Sequence, residues 1–309
     1  MIQTRTTLIL GAGSSKPYGF PSGRELRDQI CSGLADETSP AFVQLINNFA
    51  GPATIRKFRE AFERSQMYSI DAFLARRSEF TDVGKAVIAS FLMRNEEMNN
   101  LSSTKDDHWY QYLWNQLAES WDSLRQEFLA IVTFNYDRSL EYFLLEAMQS
   151  SFGKSESDCV NQLLQIPIFH VYGSLGEPAF LASSGRPYEP TITKSTLATA
   201  MSGIRVIPEQ RQHDETFERA IDLLKKSSVI CFLGFGYDRL NMNRLRFDEI
   251  AKRDEGGNPV HGRRICGTVL GMKSAEIAWA IRKCGSNARY FDELRCEEFL
   301  RTHGILTGY

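Results

Sequence analysis

TLILGAGSSKPYGFP, residues 7–21, is the stretch from which the rest of the chain is read. TLIL is a short, wholly apolar run that ends at Gly11, the pattern of a buried parallel strand followed by a turn. Gly11 and Gly13, on either side of Ala12, let the backbone turn tightly and approach a phosphate, because no Cβ stands in the way. Ser14 and Ser15 add hydroxyl and amide donors at the start of the next helix, whose dipole favours an anion. Gly19 and Pro21 complete the loop. A P-loop requires Gly-Lys-Ser/Thr, which is absent. A dehydrogenase fingerprint requires glycine at position 16, where Lys16 stands, and an acidic residue about 20 positions on at the tip of a second strand. That stretch reads as helical instead.

From 22 to 124 no comparable strand occurs. SGRELRDQICSGL, AFVQLINNF, ATIRKFREAFERSQ, SIDAFLARRSEF, DVGKAVIASFLMRNEE and HWYQYLWNQLAESWDSL all carry helical periodicity. Ser69 reads as a helix cap, with Asp71 in the first turn where a carboxylate suits the dipole. Strand-like runs return at LAIVTF (129–134), IPIFHVYG (166–173), SVICFLG (228–234) and RICGTVL (264–270), with helical segments between several of them. Strand alternating with helix predicts an α/β fold, a Rossmann-like doubly wound parallel sheet with a large helical insertion after the first strand. Residues 1–309 read as one domain containing the 22–124 insertion. Residues 176–208, rich in Gly, Pro, Ser and Thr, read as a long loop or lid.

The balance of 36 Lys and Arg against 38 Asp and Glu gives a net charge of −2, without a basic cluster, so direct nucleic-acid binding is not expected. With 42% hydrophobic and 24% charged residues, a packed core is expected and disorder is not. No apolar run approaches the roughly 18 residues of a spanning helix, and the N-terminus lacks an h-region, so a cytoplasmic protein is expected. Six cysteines, Cys31, Cys159, Cys231, Cys266, Cys284 and Cys296, show no knuckle spacing. They read as buried structural thiols in a reducing compartment, with no metal site. His108, His213, His261 and His303 lie in polar or helical surroundings and read as surface residues.

Further turns complete the reading. In TFNYD, Thr133 ends a strand, Asn135 can aim its amide at a ribose or hold a water, and Asp137 can cap the next helix; both are also common turn residues. In FHVYGS, His170 and Tyr172 stand two apart in a strand and are predicted to face one pocket, ahead of Gly173 and Ser174. GFGYD ends another strand with Gly234, Gly236 and Asp238, and Gly267-Thr268 lies on the last predicted one.

The first loop resembles the G-A-G-x-S-x-x-x-G-x-P loop of the sirtuin family, matching at Gly11, Ala12, Gly13, Ser15, Gly19 and Pro21. TFNYD is similar to the family's T-x-N-x-D motif. Sirtuins place a catalytic histidine immediately before the glycine matched by Gly173, with Ser or Thr after it. Tyr172 occupies that place here and His170 lies two positions upstream, so either residue is a candidate for the base. GFGYD stands at the family's Gly-Ser/Thr-Ser turn and looks like the version in prokaryotic sirtuin-like defence proteins. SIDAFL resembles a segment of their helical insertion.

Protein-deacylating sirtuins carry four zinc-ligand cysteines, and no such set is present. The resemblance therefore implies the zinc-less branch, an NAD hydrolase that releases ADP-ribose and nicotinamide and depletes NAD during phage infection. NAD is then the substrate and no metal is implied. The implied roles place Asn135, His170 and Tyr172 in catalysis. Gly11, Ala12, Gly13, Ser14, Ser15, Gly19, Pro21, Thr133, Asp137, Gly173, Ser174, Gly234, Gly236, Asp238, Gly267 and Thr268 bind the nucleotide, the last two at its adenosine half. Alternatives are an NAD-dependent deacylase or ADP-ribosyltransferase, and a non-catalytic NAD or ADP-ribose sensor. Constant activity would be toxic, so a homo-oligomer is expected, with a separately encoded sensor such as a HerA-type ATPase as a possible partner. Phe73, Phe80, Phe91, Trp109, Tyr110 and Trp114 offer oligomer contacts or form the insertion's own core.

Overall fold

The computed structural model describes residues 2–102, 107–124, 128–206, 215–252, 256 and 262–307. After β1 (Thr6–Leu10) a 3-10 helix (Ala12–Tyr18) leads into α1 (Gly23–Gly33), α2 (Pro40–Asn48), α3 (Pro52–Arg64), α4 (Ile70–Leu74), α5 (Thr81–Met93) and α6 (Trp109–Leu117). Then come β2 (Leu129–Thr133), α7 (Ser139–Phe152), α8 (Glu156–Leu163), β3 (Ile168–His170), α9 (Lys194–Gly203), α10 (Glu215–Lys226) and β4 (Val229–Leu233). The chain ends with α11 (Arg239–Arg244), α12 (Phe247–Ile250), β5 (Arg264–Thr268), α13 (Ser274–Cys284), β6 (Ala288–Asp292) and α14 (Cys296–Thr302).

The six strands form one parallel sheet in the order β3-β2-β1-β4-β5-β6. This is the doubly wound order, and the large helical block between β1 and β2 is the predicted insertion. TTLIL, LAIVT and VICFL are buried along their whole length, as central strands covered on both faces must be. The chain moves outward from β1 through β2 to β3, then returns to the other side of β1 for β4. That reversal creates a crevice at the carboxyl ends of β1 and its neighbours, where open α/β sheets bind ligands. Leu10 is in register with both Thr133 and Leu233, so the turns beginning at Gly11, Phe134 and Gly234 emerge side by side.

In the helical block, α5 is buried at ten of its positions and packs against α1, α2, α3, α4 and α9. Phe58, Phe62, Phe73 and Phe80 make a cluster of edge, tilted and stacked ring contacts beside it. Phe73, Phe80, Phe91, Trp109, Tyr110 and Trp114 are all interior: the three phenylalanines lie in the core of the block, while Trp109, Tyr110 and Trp114 pack on the glycine loop and α7.

Three expectations need correction. The segment read as a lid contains α9, which docks on α5, and its first half is strapped down by a buried ion cluster; residues 207–208 lie outside the described residues. A further strand, β6, forms the far edge of the sheet, so Thr268 does not lie on the last strand. His108 is buried as the cap of α6, its Nδ1 accepting from the Gln111 amide at 3.3 Å, and His303 stacks on Tyr290. His213 and His261 lie outside the described residues. All six cysteines are buried free thiols. No helix among the described residues is long and apolar enough to cross a membrane.

Candidate functional site

Two backbones interlock at the start of the crevice. The Gly13 amide donates to the Gly234 carbonyl at 2.9 Å and the Gly11 amide to the Leu233 carbonyl at 3.0 Å. A Cβ on Gly13 would lie 2.8 Å from the Gly234 Cα, and one on Gly234 only 2.0 Å from the Ser14 nitrogen. Gly234 also has φ +57, in the left-handed region that glycine adopts without steric cost. These glycines are therefore required by backbone-on-backbone contact, before any ligand is considered. The Thr268 hydroxyl accepts from the Gly234 amide at 2.8 Å and fixes that turn from β5. Gly267 leaves room for the Tyr237 hydroxyl and Phe232.

The Asn135 turn reaches across to the same loop. The Asn135 side-chain nitrogen donates to the Gly11 carbonyl at 3.0 Å and the Ser15 hydroxyl at 3.0 Å, with the Ser14 hydroxyl at 3.4 Å. A carbonyl oxygen only accepts, so the amide NH₂ must face the loop. The side-chain oxygen, Oδ1, is the opposite end of that amide and has no hydrogen bond among the described residues. Thr133 closes the turn by accepting from the Asn135 backbone amide at 3.1 Å. Asp137 is buried and accepts from the Ser139 backbone and hydroxyl and from Ser15. Burial pushes its carboxyl upward against those hydrogen bonds.

Aromatic side chains from α6 brace both turns. Trp109 donates its indole N–H to the Ser14 carbonyl at 2.8 Å, and Tyr110 stacks on Tyr18 with ring centroids 3.6 Å apart. The Tyr110 hydroxyl lies 2.7 Å from the Ser139 hydroxyl, which continues to Asp137. The sequence offers Trp109 and Tyr110 as oligomer contacts or core of the insertion, and an aromatic-rich helix carries no pattern that marks them as braces of these turns.

His170 and Tyr172 do not share a pocket. β3 ends at His170, so the two-residue alternation stops there and Tyr172 sits in a turn. His170 Nδ1 is 2.8 Å from the Asn135 carbonyl, and Nε2 is 2.6 Å from Glu141 Oε1. The carbonyl requires a proton on Nδ1, and the carboxylate favours a second on Nε2, surroundings that suit an imidazolium. Burial works against that charge, but Glu141 and the two hydrogen bonds override it and raise the His170 pKa. Burial likewise works against the Glu141 carboxylate, and His170 overrides it to hold that carboxyl below its usual range. Glu141, inside a helical run six residues beyond Asn135, gave no signal in the sequence.

The Tyr172 hydroxyl donates to Asn241 Oδ1 at 2.6 Å, and Arg244 lies over the Tyr172 and Phe217 rings. Burial pushes the phenol well up. Asp238 caps α11 by accepting from the Leu240 and Asn241 amides at 2.9 and 3.2 Å. From the helical block, Asp71 accepts from the Tyr136 hydroxyl at 2.6 Å; burial raises its carboxyl, and nearby Asp238 adds to the rise. Asp71 is thus the carboxylate that the insertion contributes to this wall, alongside Tyr172 and Asp238.

The remaining predicted residues fall into two groups. Ala12 and Gly13 are half-buried, Gly236 is exposed, and Gly19 ends the 3-10 helix at φ +92. Pro21 is buried just before Ser22, which caps α1. Gly173, at φ +70, packs on the Gly203 carbonyl, while the Ser174 amide donates to that carbonyl and its hydroxyl to Gly176. These two tie the β3 turn to α9 rather than to the glycine loop.

No family model and no curated protein matches the chain. Among solved structures, one described as the structural basis for sirtuin substrate affinity aligns over 98% of this chain and 95% of its own, at 12% identity and a TM-score of 0.40. A Sir2 variant with a deacetylated p53 peptide and 3′-O-acetyl ADP-ribose aligns over 99% and 96%, at 12% identity and 0.43. A Sir2 variant with a p53 peptide and NAD aligns over 98% and 95%, at 14% identity and 0.39. The chain is similar to these proteins at a level that assigns neither a family nor a ligand.

Proposed function

We propose that the crevice at the carboxyl ends of β1, β2 and β4 binds NAD and that the protein hydrolyses its nicotinamide–ribose bond. Water attacks the anomeric carbon, the carbon–nitrogen bond breaks, and its electron pair returns to the pyridinium ring, which leaves as neutral nicotinamide. The other product is ADP-ribose. One observation carries this reading: Asn135 bonds directly to the Gly11 carbonyl and Ser15, joining the two turns whose sequences resemble the sirtuin motifs. With its NH₂ held by the loop, Asn135 presents Oδ1 in one orientation, suited to a water or a ribose hydroxyl.

The pathway passes through an oxocarbenium-like state, and positioning carries most of the demand. His170, protonated and held on both sides, serves as a positioning residue that fixes the Asn135 carbonyl and carries positive charge beside Asp137. Tyr172, with its phenol pushed well up, stays neutral and shapes the wall through Asn241 and Arg244. The base role passes to Asp71, held by the Tyr136 hydroxyl at 2.6 Å, whose carboxyl burial makes a stronger proton acceptor than a free one. NAD depletion during phage infection, control by homo-oligomer assembly, and a HerA-type ATPase as sensor extend the proposal from the sequence resemblance.

The test is chromatographic identification of products from NAD with wild type, Asn135→Ala, Asp71→Asn and Tyr172→Phe. ADP-ribose and nicotinamide are expected, with losses of about 10²-fold or more for Asn135→Ala and Asp71→Asn and a smaller one for Tyr172→Phe. Undiminished turnover by Asn135→Ala sinks the assignment. Release of O-acyl-ADP-ribose, or transfer to a protein, replaces hydrolysis with the transferase reading.

A further inference from the structure

A cavity lies at the opposite end of the sheet. At the amino ends of β1, β2 and β4 a cavity of about 980 Å³ opens between Arg5, Phe128, Lys226, Ser227 and the side chains of α8. That is at the upper end of the roughly 300–1,000 Å³ common for ligand sites. Gln162 lines it, is only 9% exposed, and has no partner for its Nε2. A buried amide donor left unpaired is costly, so this side chain holds a donor for an acceptor that the described chain does not supply. Arg5, just ahead of β1, has no ion-pair partner among the described residues, and Lys226 adds a second cation. Phe128, 40% exposed, places an aromatic ring on the same wall.

Cations for an anionic group, a buried amide for hydrogen bonding and an aromatic face for stacking together select one ligand class. We propose that this cavity is a second binding site, for a nucleoside phosphate, distinct from the crevice at the other end of the same strands. The two sites are joined by five-residue strands, roughly 16 Å at about 3.3 Å per residue. A ligand on Arg5, Phe128 and Ser227 therefore touches the starts of the three strands whose ends carry the glycine loop, the Asn135 turn and Gly234. The site is independent of the NAD reading and stands or falls without it.

The test is calorimetric titration of the full chain with ATP, adenosine and inorganic pyrophosphate, with hydrogen exchange in parallel. Expected are ATP binding weakened at least tenfold by Arg5→Glu and Gln162→Leu, and exchange protection at 128–130 and 227–229. Asn161→Trp, at an exposed position lining the cavity, is expected to abolish binding by filling it. Arg5 is exposed, so Arg5→Glu is expected to melt with wild type and keeps the test valid if Gln162→Leu folds poorly. No heat from any probe at millimolar concentration, protection confined to 11–19 and 134–138, or binding indifferent to Arg5→Glu overturns the proposal. Pyrophosphate or adenosine alone binding as tightly as ATP overturns the nucleoside-phosphate class.

Discussion

Replacing Glu96 by glutamine is expected to destabilise the protein more than any exposed charge change. Glu96 follows α5 with its carboxylate fully buried between two guanidinium groups. Arg138 binds Glu96 Oε1 through Nε at 3.0 Å and through Nη2 at 2.9 Å, and Arg186 binds Oε2. The same arginines hold backbone carbonyls of the 175–189 segment: Arg138 donates to Arg186 at 2.7 Å and Pro187 at 3.0 Å, and Arg186 to Leu175 at 3.2 Å. One carboxylate therefore pairs with two buried cations that strap the insertion, the start of α7 and the supposed lid together. Removing one partner of a buried ion pair costs about 3–5 kcal/mol, because the remaining charge stays desolvated. Glu96→Gln keeps the volume but turns N–H groups toward two donors, so about 4 kcal/mol is the working figure.

At about 2.1 cal/mol/K per residue, 309 residues give an unfolding entropy near 0.65 kcal/mol/K. A loss of about 4 kcal/mol then lowers the melting midpoint by about 6 °C. Scanning calorimetry of the two proteins at equal concentration measures it, and hydrogen exchange of the amides of Ala179 and Arg186, bonded to each other's segment, locates it. Replacing Glu96, Arg138 and Arg186 together by apolar residues of similar size distinguishes a strap from a simple ion pair. A simple pair tolerates that exchange, whereas here it orphans the carbonyls of Leu175 and Pro187, so the triple variant should also melt low. A midpoint shift below about 1.5 °C in Glu96→Gln, equivalent to less than about 1 kcal/mol, refutes the reasoning.

Gly234→Ala places a Cβ 2.0 Å from the Ser14 nitrogen at a positive φ and should cost roughly 2–5 kcal/mol. Gly236→Ala, two residues on with nothing within 4 Å, should stay within about 0.5 kcal/mol, and denaturant melts of the pair compare them directly. The His170–Glu141 pair predicts a pH window. His170 is raised above 6.5, so its contribution is complete below that value and is lost as pH rises through the folded pKa; Glu141 is lowered from 4.5, so its contribution is complete above that value and is lost as pH falls through the folded one. The stability difference between wild type and Glu141→Gln should therefore be widest from about pH 4.5 to 6.5 and shrink toward pH 9; a difference that grows in alkali contradicts the charged pair.

How much of this was legible in the sequence follows from what each element must bury. TTLIL, LAIVT and VICFL lie at the centre of a parallel sheet and need apolar side chains on both faces, so composition alone exposes them. β6 is an edge strand in which Arg289 and Tyr290 are exposed, and its ARYFD sequence carries neither an apolar run nor a clean alternation. β3 is shorter than its apolar run because the chain must leave the strand: Pro167 donates no ladder bond, and Gly173 turns at positive φ to pack on Gly203. The early end of that strand is what separates Tyr172 from His170. A period-of-two argument holds only as far as the hydrogen-bonded ladder does.

The site divides along the same line. Its glycines and turns were visible because backbone geometry restricts residue type locally: a loop that presses on another backbone at 2.9 Å must carry glycine. Its electrostatics were not, because a buried charge announces only that it has a partner and never which one. Glu96 lies just beyond α5 in the polar run RNEE, and its two partners lie 42 and 90 residues away. Glu141 meets His170 across 29 residues, and Asp71 meets Tyr136 across 65. The pairing of these groups is fixed by the docking of the insertion and the return of β3, which are properties of the folded chain. That is why the family resemblance leaves His170 and Tyr172 as alternative bases, while the folded chain sets the His170 ring between the Asn135 carbonyl and the Glu141 carboxylate and ties the Asn135 amide to the glycine loop.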